Sequence, residues 1–205
     1  MTKLKELFLN SELRAGGFYE LAIQVCQSDN NMPIKDYTSY IWSLDYVEGP
    51  FDENFNLITA DIENIQHRGL ITLGDYKIPF MTYNIREDEP VETGFNWFDI
   101  CFYTSAIEHI FGEEYQTWSE SPKVPIELTL FLENSIIELY KLFPFKLALK
   151  DFEISGQYYF KDLKTVLEVP FSPLFIIGGI NLEKILESNR AFVTTVEKIE
   201  KEKYA

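Results

Sequence analysis

Two cysteines, two histidines and three tryptophans are all that this 205-residue chain carries of those residue types. Cys26 and Cys101 lie far apart in a sequence with no disulfide-rich pattern, so they are expected to be reduced, buried thiols. No apolar run approaches the roughly 20 residues needed to span a bilayer. The run Leu174–Phe175–Ile176–Ile177 is stopped by Gly178 and Gly179. Residues 1–14 bring Asn10, Ser11, Glu12 and Arg14 soon after Phe8, so they lack the apolar core and cleavage site of a signal peptide. The expectation is a cytoplasmic protein with no membrane partner.

Signature motifs are missing too. There is no G-x-x-x-x-G-K-[ST], G-x-G-x-x-G, H-E-x-x-H, C-x-x-C or EF-hand loop. Ser155 lacks the flanking glycines of a nucleophile elbow, and two adjacent glycines at 178–179 read as a tight turn. No cofactor is implied.

Basic residues are scarce in one place. Residues 36–122 contain 17 acids and 3 bases, a net −14 of the chain's total −15. No Lys or Arg occurs between Lys35 and Arg68, or between Arg86 and Lys123. The acids of Asp36–Glu120 are expected to form one contiguous negative surface. Such a field repels phosphate backbones, so nucleic acid is excluded as a partner, and it steers a basic protein in. Aromatics among the acids suit an interface, because they anchor while charges select. The candidate binding residues are Asp45, Glu48, Asp52, Glu53, Asp99, Glu113, Glu114 and Trp118.

With 46% hydrophobic and 16% aromatic residues there is ample material for a core, so one domain over 1–205 is expected. Residues 2–13 read as a short helix. Tyr19, Leu21, Ile23 and Val25 alternate with Glu20, Ala22 and Gln24, the period of a half-buried strand. Pro33 opens a helix with Tyr37, Ile41 and Leu44 on its stripe, and Glu48-Gly49-Pro50 stops it. Residues 56–63 read as a strand, carried by Leu57–Ile62. Residues 69–83 read as a hairpin turning at Gly74-Asp75, with Pro79 placing the second arm at an edge. Asn96–Tyr103 is apolar on both faces and is expected at the centre of the sheet. Ala106–Phe111 is a short helix or turn closed by Gly112. Pro125–Leu142 is a longer one, with Ile126, Leu130, Ile137 and Tyr140 along one side. Residues 145–154 and 174–177 read as strands, 157–167 and 182–186 as helices, and 191–196 as a strand. Helices and strands alternate only in part, which predicts an α+β fold: a mixed, largely antiparallel sheet with helices packed on it.

Chemistry-bearing clusters are few. Glu108, His109, Glu113 and Glu114, with Asp99 from the preceding strand, are the nearest approach to a metal set, since His109 and Glu113 share a helical face. His67, before Arg68 and Gly69, reads as an exposed turn residue. Asp99 stands out within an apolar strand. Its expected surroundings are solvent or the amides of the 86–94 loop, or else a pocket shared with His109 or Arg86.

Several short stretches are familiar together: Gly17–Ile23, Glu48–Phe51, Trp97-Phe98-Asp99, Pro144–Leu149 and Phe152–Gly156. They resemble a loosely related group of bacterial cytosolic proteins of uncharacterised activity. The resemblance spans residues 17–156; it implies a bacterial origin and a shared fold, and brings no catalytic residues.

Two functions from different classes follow. One is a non-catalytic acidic protein that binds a basic protein partner, as immunity proteins mask toxins; this is an analogy of charge, not of motif. The other is a small carboxylate- or metal-dependent hydrolase built on Asp99, Glu108, His109 and Glu113.

Overall fold

The computed structural model describes residues 3–27, 30–86, 95–115, 122–159, 174–177 and 194–202. The fold is α+β, a mixed and largely antiparallel sheet with helices packed on it. In chain order the elements are α1 (Lys3–Leu9), β1 (Phe18–Gln27), α2 (Met32–Trp42), β2 (Val47–Phe51), β3 (Gln66–Leu73), β4 (Tyr76–Ile85), β5 (Phe95–Tyr103), α3 (Thr104–Phe111), α4 (Ile126–Leu142), β6 (Leu147–Phe152) and β7 (Leu174–Ile177). Short 3-10 turns cover Ser11–Arg14 and Glu113–Tyr115. The strands form one seven-stranded sheet in the order β2-β3-β4-β5-β1-β6-β7, antiparallel throughout except where β7 joins β6 in parallel.

The first strand of the chain is thus an interior strand. β1 pairs with β5 through Leu21↔Ile100 and Ile23↔Phe98, and with β6 through Leu21↔Lys150 and Ile23↔Ala148. Its polar positions are not solvated as alternation predicted: Glu20, Ala22 and Gln24 are as buried as Leu21 and Ile23. A strand covered on both faces leaves no wet side, whatever its pattern.

One face carries the main core. α2 and α4 lie on it, with Tyr37 edge-on to Phe98 at 5.7 Å and Phe131 edge-on to Phe102 at 6.0 Å. The buried side of α4 is Leu128, Phe131, Leu132, Ser135, Ile136, Leu139 and Tyr140, so Ile126 and Leu130 point outward, against the stripe expected for them. Trp42 lies flat over this face beside β3. It stacks on Phe80 at 5.0 Å and donates from Nε1 to Thr82 Oγ1 at 3.0 Å. The opposite face holds a smaller cluster of Ala22, Trp97, Leu147, Leu149 and Ile154.

Several local expectations are corrected. Glu48-Gly49-Pro50 does not cap α2, which ends at Trp42, but lies within β2. Residues 56–63 are not a strand; Leu57 only bridges back to Phe51, covering part of the β2 edge. Pro79 is not on an edge strand, since β4 lies between β3 and β5. The β4–β5 pairing begins at Phe80↔Phe102, so Pro79 sits just past the last rung on that side and needs no donor there. Residues 194–202 are helical where a strand over 191–196 was expected, and Val196 and Ile199, three apart, are its buried residues. Helices expected over 157–167 and 182–186 lie largely outside the described residues, as do Gly178 and Gly179; residues 157–159 are not helical. The hairpin turn at Gly74-Asp75, the helix α3 closed by Gly112 and the central place of β5 follow the expectation.

Gly69 is where the Trp42 packing demands glycine. A Cβ there would stand 2.4 Å from the Glu48 carbonyl oxygen and 2.6 Å from the Trp42 ring. Gly69→Ala is therefore expected to destabilise the fold by about 1–3 kcal/mol, the usual range for overpacking. Urea unfolding of the variant against wild type checks it.

Candidate functional site

Two places in the fold gather chemistry. The first is buried at the centre of the sheet. Directly paired residues share a face, so Ala22↔Asp99 and Glu20↔Cys101 put both carboxyl groups on the side opposite α2 and α4. Both are nearly inaccessible, at 3% and 2% relative exposure for Glu20 and Asp99. The turn after β6 folds over them. Ser155 donates its backbone N–H to Glu20 Oε1 at 2.8 Å and its hydroxyl to Asp99 Oδ2 at 2.7 Å. The Cys101 thiol donates to Glu20 Oε2 at 3.3 Å. Asp99 Oδ1 is buried without a hydrogen bond among the described residues.

Burial in this setting pushes the Asp99 carboxyl up to about 8; the Ser155 bond opposes the shift and the Glu20 charge adds to it. Glu20 is raised for the same first reason, burial, against the pull of the Ser155 amide and the Cys101 thiol. Desolvation and the neighbouring acids push the Cys101 thiol well above its ordinary range, so it is no thiolate nucleophile. Ser155 beside Asp99 has the outline of a nucleophile and base. The surrounding carboxylates, however, oppose the negative charge that acyl transfer develops on oxygen. What the group does well is hold a proton.

Asp99, which stood out in the sequence, is buried away from solvent. Among the described residues its hydrogen-bond partner is Ser155, and it meets neither His109 nor Arg86; the amides of 87–94 lie outside the described residues. Arg86 instead lies 3.7 Å from Glu63, and His109 is exposed on α3. Among the described residues no three His, Cys, Asp or Glu side chains converge as a metal set, so Asp99, Glu108, His109 and Glu113 do not form one. Glu20 and Ser155 were missed as partners because their meeting depends on β1 pairing with β5 and β6, which no local pattern encodes.

The described acids of residues 36–122 do not all lie on one face. Glu48 pairs with Lys77. Asp52 accepts from the Asn54 and Asn56 amides and the Asn56 side chain, and Asn56 foremost holds its carboxyl below the ordinary range. Asp61 likewise accepts from Glu63 and Asn64. These turn acids, with exposed Glu53, precede β3, whereas the Gly74-Asp75 turn follows it, so the two groups lie at opposite ends of that strand.

The second place is the end marked by that turn. Tyr76 packs on Phe111 at 4.4 Å, and Phe111 on Tyr115 at 6.0 Å. The start of α4 comes alongside, with Glu127 Cγ near Gly74, and Tyr46 is edge-on to Phe131 at 6.4 Å. The Tyr115 hydroxyl is raised by desolvation and by the charges of Glu114 and Glu127. Asp45, Asp75, Glu113, Glu114 and Glu127 thus stand around Tyr46, Tyr76 and Tyr115, and no ion pair among the described residues engages any of the five. Tyr46 and Tyr76 are exposed, as are Ile126 and Leu130. Of the predicted binding residues, Asp45, Glu48, Glu113 and Glu114 come to this end; Asp52 and Glu53 go to the other; Asp99 is buried; and Trp118 lies outside the described residues. At the other end a groove of about 570 Å³ is lined by Gln24, Cys26, Asn30, Phe95, Phe143 and Lys146, none of them a predicted site residue.

His67 is also corrected. It lies in β3 opposite Thr82, fully buried, with Trp42 5.9 Å away. Neither ring nitrogen has a well-formed hydrogen bond among the described residues. Burial lowers its pKa, and Asp61 pulls weakly the other way.

No family model matches this chain, and no curated protein or solved structure matches it either. The fold and the sites thus stand on their own geometry.

Asp99 and His67 titrate with opposite consequences. A raised acid favours the folded state below its unfolded pKa and loses that contribution as pH rises to about 8. A lowered histidine does the reverse: the unfolded chain takes the proton at about 6.5, before the folded one does. Relative to a His67→Leu variant, wild type is expected to lose stability as pH falls below about 6.5, by at most about 1.4 kcal/mol per unit. Urea unfolding of both proteins across that range checks it; a constant difference refutes the buried-histidine assignment.

Proposed function

We propose that this chain is a non-catalytic acidic binding protein whose partner is a basic protein. The observation that carries the reading is the end of the sheet at Gly74-Asp75. There five carboxylates that no described ion pair engages stand around exposed Tyr46 and Tyr76, beside the start of α4, where Ile126 and, one turn on, Leu130 are exposed. Acids at the rim speed encounter with a positive surface, and aromatic and aliphatic side chains between them supply the area that desolvates on contact. The partner's matching surface is rich in Lys and Arg, with an apolar patch to meet the tyrosines. Masking a basic partner in this way is the task immunity proteins perform on toxins, and the charge balance of this chain fits such a task by analogy.

The test starts with affinity capture from a lysate of the source organism, eluted with salt, and then measures kinetics on the identified partner. A basic protein is expected. Its association is expected to slow steeply as ionic strength rises, since such fields are screened over about 8 Å at physiological salt. Asp75→Asn, Glu114→Gln and Glu127→Gln combined are expected to slow association. Tyr76→Ala should mainly hasten dissociation, costing about 1–2 kcal/mol or more if the ring is an anchor. An association rate indifferent to both salt and the triple substitution rejects the reading.

A further inference from the structure

The 153–156 turn is held to the sheet by bonds that meet at the two buried acids. Glu153 enters it in the left-handed region, at φ 49°. Its backbone N–H donates to the Phe18 carbonyl at 2.9 Å, and its carboxylate accepts from the Phe18 amide. That carboxylate sits where a Cβ on Gly17 would be, 2.0 Å from Oε1, so the seat exists only because residue 17 is glycine. Ile154 is buried among Trp97 and Leu149, and Tyr159 beyond the turn stands edge-on to Trp97 at 5.9 Å. Ser155 then spans the acids, its amide on Glu20 and its hydroxyl on Asp99.

We infer that Glu20, Asp99 and Ser155 form a proton-operated latch, in which a proton shared at the Asp99 carboxyl keeps the 153–156 turn closed on the sheet and its loss releases the turn. The hydrogen bonds say where that proton resides. Glu20 accepts from two donors, one on each oxygen, as suits a carboxylate. Among the described residues Asp99 has one donor, and its Oδ1 is buried with none. An ionised Asp99 would strand a charged oxygen in an apolar site beside a second acid. The other titratable groups around it do not relieve this. They are Cys101 on β5, Tyr83 opposite Asp99 on β4, Asp151 opposite Glu20 on β6, and Glu153 in the turn itself. The nearby cations are Arg68 on β3, whose charge bears on Tyr83 and Tyr103, and Arg14, whose charge bears on Tyr103.

Opening the turn hydrates both acids, so the open form releases the proton that the closed form keeps. Linkage then fixes the signature: the opening equilibrium rises about tenfold per pH unit wherever closed Asp99 is protonated and open Asp99 is not. That window runs from the ordinary aspartate value of 3.8 up to about 8, above which opening levels off.

The test is amide hydrogen exchange of the whole chain, corrected for intrinsic rates, read at Ser155 and at Ile23 in the interior strand β1. Protection at Ser155 is expected to lie below that at Ile23. It should fall about tenfold per pH unit towards about 8 and then flatten. A 13C titration of the Asp99 carboxyl should share that upper limit. In Asp99→Asn the part of the slope that approaches about 8 should vanish, and any that remains belongs to Glu20. Equal protection at the two amides would mean that the turn opens only with the whole sheet, and this overturns the latch. So does a Ser155 profile independent of pH, or an Asp99 carboxyl that titrates in the ordinary range. Should Asp99→Asn fail to fold, the wild-type profile and the carboxyl titration decide the matter alone.

Discussion

The rest of the structure depends on the ladder between β1 and β5. The two strands are separated by most of the first half of the chain, yet they pair along nearly their whole length and sit in the middle of the sheet. Both faces of the pair are covered: by α2 and α4 on one side, and by the cluster of Trp97, Leu147, Leu149 and Ile154 on the other. In such a place every polar group must find a partner or be neutralised. Glu20 and Asp99 are there because the register brings them there, and Ser155 is there to meet them. The buried Lys150, paired with Glu133 of α4 at 2.5 Å, answers the same constraint on the other face.

Charge in this protein is sorted by topology rather than by composition. The described acids of residues 36–122 include acids that organise turns, acids paired with Lys77 or Arg86, one acid sunk in the sheet, and a group left around the β3–β4 turn. The last group contributes to an outward field at that end. A count of charge along the sequence overstates that field, because it takes carboxylates engaged as turn acceptors for free ones. The described surface left over is smaller than the count suggests and is concentrated beside tyrosines and exposed aliphatic residues, the setting that the proposed interface needs.

Much of the architecture was legible in local pattern. The apolar content of Phe95–Tyr103 on both sides marked an interior strand. The Gly74-Asp75 pair marked a hairpin, and Gly112 marked a helix end. These are short-range consequences of backbone sterics and of side-chain period. Reading failed where a longer-range partner set the answer. Glu20, Ala22 and Gln24 looked wet because a strand's second face is assigned by what packs on it. Pro79 looked like an edge residue because its missing donor matters only where a neighbour would use it. His67 looked exposed because Gln66-His67-Arg68 is polar in sequence, yet its register opposite Thr82 turns the ring inward under Trp42.

The candidate site divides in the same way. The sequence by itself determined that the chain is acidic, that Asp99 is out of place in its strand, and that aromatics stand among the middle acids, because these depend only on residue identity and on a period of two or 3.6. Tertiary structure alone decided that Asp99 meets Glu20 and Ser155, from three separate stretches of chain, and that Asp45, Asp75, Glu113, Glu114 and Glu127 gather at one end of β3. The physical reason is that strand order and register are set by the burial of the whole sheet. A carboxylate's pKa and its availability to a partner follow from that burial, not from its neighbours in sequence.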